Sequence, residues 1–354
     1  MFREHNPNMN NTEANLLRAA ADHLRARDLG VVIKNARRDE QIDAWFRVTK
    51  NNKHIDYAVE VKRQVTPQML GAVVAQLKHW GDLTKKPPLL VTTYITQPVA
   101  DRLTAAKLQF ADAAGNAYLD APGMFVLITG RKPHKDTGTI AEPPGGVFTK
   151  AGLKTLFALI CNPDLATATY RDLAAAADVA LGGLPAVMAG LQQAGHINIM
   201  GDKRRLVPTK RLLDEWALAY ARKLRPKQLL RTLVTPAFGT WREWDLKAER
   251  AMWGGEPAAA LLTRHLTPGV LTLYADKLPA KLIVQHHMTS ARPNDEHNLV
   301  EVREPFWGEA LNDSADLVPP ALVYADLLAT GDARCIEVAQ MIYGEHLARL
   351  FTAT

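Results

Sequence analysis

A stretch that no regular element survives divides this chain. RKPHKDTGTIAEPPGG, at 131–146, carries Pro133, Pro143, Pro144 and a Gly pair, which remove backbone donors and interrupt helix and strand alike. A second, less sharp boundary is the basic stretch from Arg225-Pro226 to Thr235-Pro236. The resulting pieces are 1–130, 147–222 and 223–354, and 354 residues are too many for one ordinary core. Hydrophobic residues make up 47% and charged residues 23%, which excludes a disordered chain.

Two cysteines, Cys161 and Cys335, exclude a disulfide framework and a cysteine-based zinc ribbon. The first residues have no apolar signal core, and no later stretch approaches the length of a bilayer span. No membrane partner is expected, and the expected compartment is the cytoplasm, with association to the nucleoid. There is no GxGxxG after a strand, no GxxxxGK[ST] and no GxSxG, so the common nucleotide cradles and the hydrolase elbow are absent. His286, His287 and His297 match no metal-ligand spacing and read as surface histidines.

The first piece alternates helix and strand patterns. Thr12 can cap a helix carrying Leu16, Leu17, Ala20 and Leu24 and ending at Gly30. VVIKNAR, IDAWFRVTK and IDYAVEVKR read as three strands, the last two joined by NNKH. Thr66-Pro67 opens a second helix with Leu70, Val73, Val74, Leu77 and Trp80 on one face. A strand (PPLLVTTY), a helix (PVADRLTAAK) and two closing strands (NAYLD, MFVLITG) follow. The order αβββαβαββ predicts a mixed sheet with helices on its faces.

On that frame, Asp43 lies on one strand and Glu60-Val61-Lys62 on the next. An acidic residue followed by Glu-x-Lys is the arrangement of PD-(D/E)xK nucleases, and the restriction-endonuclease-like core shares the α-β-β-β-α-β order. Strand alternation puts Glu60 and Lys62 on one face. Glu60 and Asp43, with Glu13 from the first helix as a further ligand, could hold Mg²⁺, while Lys62 orients a water and Gln64 or Gln76 touches the phosphate. The plain alternative is an exposed ion pair.

The middle piece has the layout of a winged helix-turn-helix. LKTLFALICN and YRDLAAAADV are helices, Asp178-Val179-Ala180 is the turn, and Leu184, Val187, Met188 and Leu191 form the buried stripe of the next helix, ended by Gly195. The hairpin HINIM-GDKR-RLVP would carry Lys203, Arg204 and Arg205 at or beside its tip. The net charge is only +6, but Lys203, Arg204, Arg205, Lys210, Arg211, Arg222, Lys223, Arg225, Lys227 and Arg231 all fall between 203 and 231. Such a cluster attracts backbone phosphate. The candidate DNA contacts are Thr169, Arg171, Lys203, Arg204, Arg205, Lys210, Arg211, Arg222 and Lys223. Leu181-Gly182-Gly183-Leu184-Pro185, at the start of the presumed recognition helix, has no side chain that hydrogen-bonds a base edge. Base readout then falls to the hairpin, to 167–171 or to a dimer. A helical protein-interaction module is the plain alternative.

The third piece is mixed. WREWDLKAERAMWGGEPAAALLT reads as helical on both sides of its Gly pair, and VLTLYAD, KLIVQH and LVEVREP read as strands. DLVPPALVYADLLATGD and RCIEVAQMIYGEHLARL read as closing helices, and Trp241, Trp244, Trp253 and Trp307 as core or interface residues. The fold class expected of the whole is multidomain α+β: a nuclease-like α/β domain, a winged helix and a C-terminal α+β domain.

AVEVKRQVTPQ, LQFADAAGNAYL, the winged-helix block, WGGEPAAALLT, EVREPFWG and DLVPPALVYADLLATGDARCIEVAQMIY together resemble the AbiEi family of antitoxins, in its larger subgroup with an extra N-terminal domain. The TGD-R-IE-A spacing is the most specific of these. The resemblance implies a type IV toxin–antitoxin system: a repressor of its own operon, bound to double-stranded operator DNA. Its C-terminal domain would counter a nucleotidyltransferase-like toxin without needing a stable complex. Repressors of this kind often act in pairs on inverted repeats, so a homodimer is an open expectation. DNA binding requires no cofactor. Mg²⁺ enters only in the alternative, a Mg²⁺-dependent endonuclease carried to duplex DNA by its winged helix.

Overall fold

The computed structural model describes residues 11–36, 42–66, 69–132, 147–200, 203–312, 314 and 316–352. They fall into two compact units, Met1–Glu142 and Pro143–Thr354. The side chain of Thr12, the Pro67 helix start, most of the 131–146 divide and the hairpin tip at 201–202 lie outside the described residues.

In the first unit, helix α1 (Asn11–Arg25) buries Leu16, Leu17, Ala20, Ala21 and Leu24 at helical spacing. Asp28, in the left-handed region at φ 58°, turns the chain, so Gly30 opens a strand instead of ending the helix. Strands β1 (Gly30–Asn35), β2 (Ala44–Lys50) and β3 (Lys53–Lys62) form an antiparallel meander. The turn between the last two is shorter than NNKH. Asn51 and Asn52 alone make it, at φ 48° and 60°, the left-handed pair that a two-residue hairpin requires.

Helix α2 (Leu70–Thr84) crosses from β3 to the parallel strand β4 (Pro88–Thr92). Helix α3 (Gln97–Ala105) then crosses to β5 (Gln109–Asp112), also parallel. Strands β6 (Ala117–Ala121) and β7 (Met124–Ile128) close a seven-stranded sheet whose spatial order follows the chain. Strand β5 escaped the sequence reading because QFAD is four residues long with polar ends. Along β3, Tyr57, Val59 and Val61 join the core under α1, whereas Ala58 packs with Trp80 of α2 on the other face. Period-two alternation places Glu60 on the α2 side.

The second unit begins with α4 (Lys150–Cys161), α5 (Tyr170–Ala177), α6 (Leu184–Gln193), the hairpin β8 (Ile197–Met200) and β9 (Lys203–Leu206), and α7 (Lys210–Lys223). Then come α8 (Arg225–Gln228), β10 (Leu229–Val234), β11 (Met252–Gly254), α9 (Gly255–Thr263), β12 (Val270–Tyr274) and α10 (Ala280–Gln285). Strands β13 (Thr289–Ser290) and β14 (Leu299–Arg303), helices α11 (Pro320–Thr330) and α12 (Ala333–Ile342), the π-helical turn Tyr343–Leu347 and helix α13 (Ala348–Thr352) complete it. The second sheet runs β11-β12-β14-β10-β13, with β12 and β14 parallel.

Helix α7 lies where the sequence showed mainly charge. Thr209 caps it, accepting from the Leu212 N–H at 3.1 Å, and Leu212, Leu213, Trp216 and Tyr220 are buried. Trp216 stacks on Phe157 of α4 at 5.1 Å and on Tyr220 at 5.2 Å. Phe306 and Trp307 close on Phe157 from the C-terminal part, at 5.0 and 5.6 Å. Residues 147–222 and 223–354 therefore share an aromatic core.

Two sequence expectations are corrected here. KLIVQH lies in the helical α10: Leu282 is its one buried residue and Val284 is 75% exposed, so no period-two face exists to bury. WREWDLKAER forms two 3-10 turns, Phe238–Glu243 and Lys247–Glu249, and not a long helix. Three residues per turn bring Trp241 and Trp244 to one side, where both pack on Trp253. The Gly pair at 254–255 is sterically required. A Cβ on Gly254 would lie 2.4 Å from Tyr274 Cε2, and Gly255 sits at φ +47°. Among the described residues no single helix is long and apolar enough to cross a membrane.

Candidate functional site

In the first unit, Asp43 sits beside β2 and accepts from the Val61 N–H at 2.8 Å. Glu60 is 1% exposed. One of its oxygens accepts from Lys62 Nζ at 2.6 Å and Gln76 Nε2 at 3.0 Å, and the other from Trp80 Nε1 at 2.9 Å. Lys62 and Gln76 thus meet at the Glu60 carboxylate, Asp43 holds the next backbone N–H, and Trp80 is a partner of Glu60 that the sequence did not point to. Glu13 belongs to α1, which packs on the opposite face of the sheet from Trp80.

These residues do not fit a divalent cation. Mg²⁺ takes an octahedron of oxygen ligands and keeps several waters, whereas the buried Glu60 carboxylate already accepts from three nitrogen donors. Among the described residues no group of three or more His, Cys, Asp or Glu is placed to share an ion. The arrangement can join β3 to α2, but it offers no open coordination sphere.

In the second unit, the chain bends by 113° between Tyr170–Ala177 and Leu181–Gln193. Asp178 makes the bend, in the left-handed region at φ 50°, with its carbonyl and carboxylate held by Lys154 Nζ at 3.0 and 2.6 Å. Leu173, Ala174 and Ala177 of α5 and Leu184, Val187, Met188 and Leu191 of α6 are buried. Gly182, Gly183, Pro185, Ala186, Ala189, Gln192 and Gln193 face solvent.

The predicted DNA contacts separate sharply. Arg171, Lys203 and Arg205 are exposed and form no ion pair among the described residues. Lys203 and Arg205 lie along β9, not in the turn. Arg204 works inward: its guanidinium lies 4.4 Å over the Tyr170 ring and donates to the Ala168 carbonyl at 3.0 Å, tying β9 to the start of α5. Thr169 caps α5, accepting from the Asp172 N–H at 3.2 Å. Arg211 pairs with Glu215 at 2.9 Å, and Lys223 donates to the Phe148 carbonyl at 2.7 Å, while Arg222 is exposed. Lys210 is a correction. It is buried, held by Asp214 at 2.8 Å and Tyr324 at 3.2 Å, and cannot reach solvent phosphate.

Arg225 is also drawn inward. Its Nε donates to Asp326 Oδ1 at 3.0 Å, and the same carboxylate accepts from Tyr220 at 2.9 Å and Tyr274 at 2.8 Å. Of the linear run of ten cations, Arg204, Lys210 and Arg225 are therefore turned inward.

Residues 205–348, from β9 through the helical turn Tyr343–Leu347, match the family model described as transcriptional regulator, AbiEi antitoxin, type IV TA system. This segment is similar to the AbiEi family. No curated protein and no solved structure matches the chain. Within the AbiEi segment, the residues that carried the resemblance act on the fold. The TGD motif stops α11 with Gly331 at φ 68° and starts α12 with Asp332, which accepts from the Arg334 and Cys335 N–H groups. WGGEPAAALLT is the glycine-dependent junction of β11 and α9.

Proposed function

We propose that the chain is a DNA-binding transcriptional regulator of the antitoxin type. Helices α4–α6 and the β8–β9 hairpin act as a winged helix-turn-helix on the operator of its own operon. The AbiEi segment opposes a nucleotidyltransferase-like toxin. The observation that carries the reading is the 113° helix pair followed at once by a hairpin bearing exposed Lys203 and Arg205. That angle lies in the range of helix-turn-helix pairs. The AbiEi match adds the regulatory role independently. Metal-dependent cleavage by the first unit loses support because the Glu60 carboxylate is already engaged by Lys62, Gln76 and Trp80.

Replacing Lys203 and Arg205 together by alanine should weaken duplex binding and lower the slope of log affinity against log salt by about 1.8, roughly 0.9 per lost phosphate contact. Both side chains are exposed, so the melting temperature should stay within the range of ordinary surface changes. Fluorescence polarisation across a salt series reads both affinity and slope. An unchanged slope removes the hairpin from the contact.

A further inference from the structure

A groove runs between α5 and the start of α6, lined by Thr169, Tyr170, Arg171, Leu181, Gly182 and Pro185. Arg171 lines it and is exposed, and Lys203 and Arg205 are exposed on β9, the strand that Arg204 ties to Tyr170. These charges fit backbone phosphate. The floor of the groove has different chemistry. Leu181 is 48% exposed there, and no side chain from 181 to 189 carries a hydrogen-bonding group. Asp172 also lines the groove, but its carboxylate accepts from the Thr169 hydroxyl at 2.7 Å as part of the helix cap.

Two glycines add an independent observation. A Cβ built on Gly182 or Gly183 meets nothing within 4 Å, and neither has a positive φ. The fold of this unit therefore does not call for glycine at either place, and glycine costs helical stability relative to alanine. A surface that must let another body approach closely would call for it.

Resting on the DNA-binding reading above, we infer that this groove takes the major-groove edge of A·T-containing duplex, and that Leu181 with the bare start of α6 reads thymine C5-methyl groups by apolar contact. The cations fix position on the phosphates. Sequence choice then comes from methyl contact and close approach, not from bidentate hydrogen bonds to guanine.

The test uses the full chain and a PCR fragment of the DNA directly upstream of its coding sequence. The fragment is amplified with dTTP, with dUTP in its place, or with 7-deaza-dGTP in place of dGTP, and binding is measured against excess unrelated duplex. Uracil lacks only the methyl group, so affinity should fall on the order of tenfold with dUTP and stay unchanged with 7-deazaguanine. Leu181→Ala should bring the thymine and uracil fragments close to equal affinity while the melting temperature holds, since this side chain is half exposed. Selective binding that is equal for thymine and uracil overturns the inference and leaves the DNA-binding reading standing. So does selective binding lost only with 7-deazaguanine, which would assign readout to guanine N7. Failure to bind any of the three fragments at low salt overturns both.

Discussion

Asp326→Ala should destabilise the second unit by about 3–5 kcal/mol, the cost of leaving a buried charge without its partner. Asp326 is fully buried on α11 and collects Tyr220 and Arg225 on one oxygen and Tyr274 on the other. Burial, and then the charge of Asp326, pushes both tyrosine hydroxyls well above their ordinary range, so both stay protonated and donate. Burial works against the charge on Arg225, yet Asp326, the tyrosines and Glu301 raise its pKa overall. Without the carboxylate, Arg225 keeps only Glu301, at 3.4 Å. The network joins α7 and α8, which follow the hairpin, to β12 and α11, so the substitution loosens several elements of the second unit at once. Urea denaturation of the full chain measures the loss, and a change below about 1 kcal/mol, the level of an exposed pair, would show that the network carries no such weight.

Glu60→Ala should be nearly as costly, again about 3–5 kcal/mol, but in the first unit. The substitution removes the carboxylate to which the Lys62 ammonium, the buried Gln76 amide and the buried Trp80 indole donate. Calorimetry with and without Mg²⁺ separates a clasp from a metal centre. A clasp predicts a large drop in the melting midpoint for the variant and no Mg²⁺ effect on the parent protein. A Mg²⁺-dependent rise in the parent that vanishes in Glu60→Ala would restore the metal site.

What the sequence made legible followed periodicity. The Leu16–Leu24 stripe, the alternation through Tyr57, Val59 and Val61, and the α6 stripe are local patterns, and each packs as read. Helix α7 was legible too, through Thr209 and the Leu212, Leu213, Trp216 and Tyr220 spacing, but its basic residues drew attention to charge. KLIVQH failed for the opposite reason: a β-branched run suggested a strand where tertiary packing accepts one and a half helical turns. Partners distant in sequence were not legible at all. Lys210 meets Tyr324 across 114 positions and Arg225 meets Asp326 across 101, and nothing local separates those cations from Lys203 or Arg205. The Glu-x-Lys motif was read correctly as a juxtaposition. Its chemistry depends on Trp80, whose place on the buried helix face was visible but whose indole N–H direction was not.

Hydrogen exchange on the full chain, with and without its upstream DNA fragment, tests the DNA-binding account most directly. Slowed exchange on adding DNA should concentrate in α5, the 3-10 turn Leu181–Gly183 that leads into α6, and β9, the segments that carry Arg171, Leu181, Lys203 and Arg205. Protection confined to residues 11–132, with none between 169 and 206, would contradict it and move the nucleic-acid contact to the other unit.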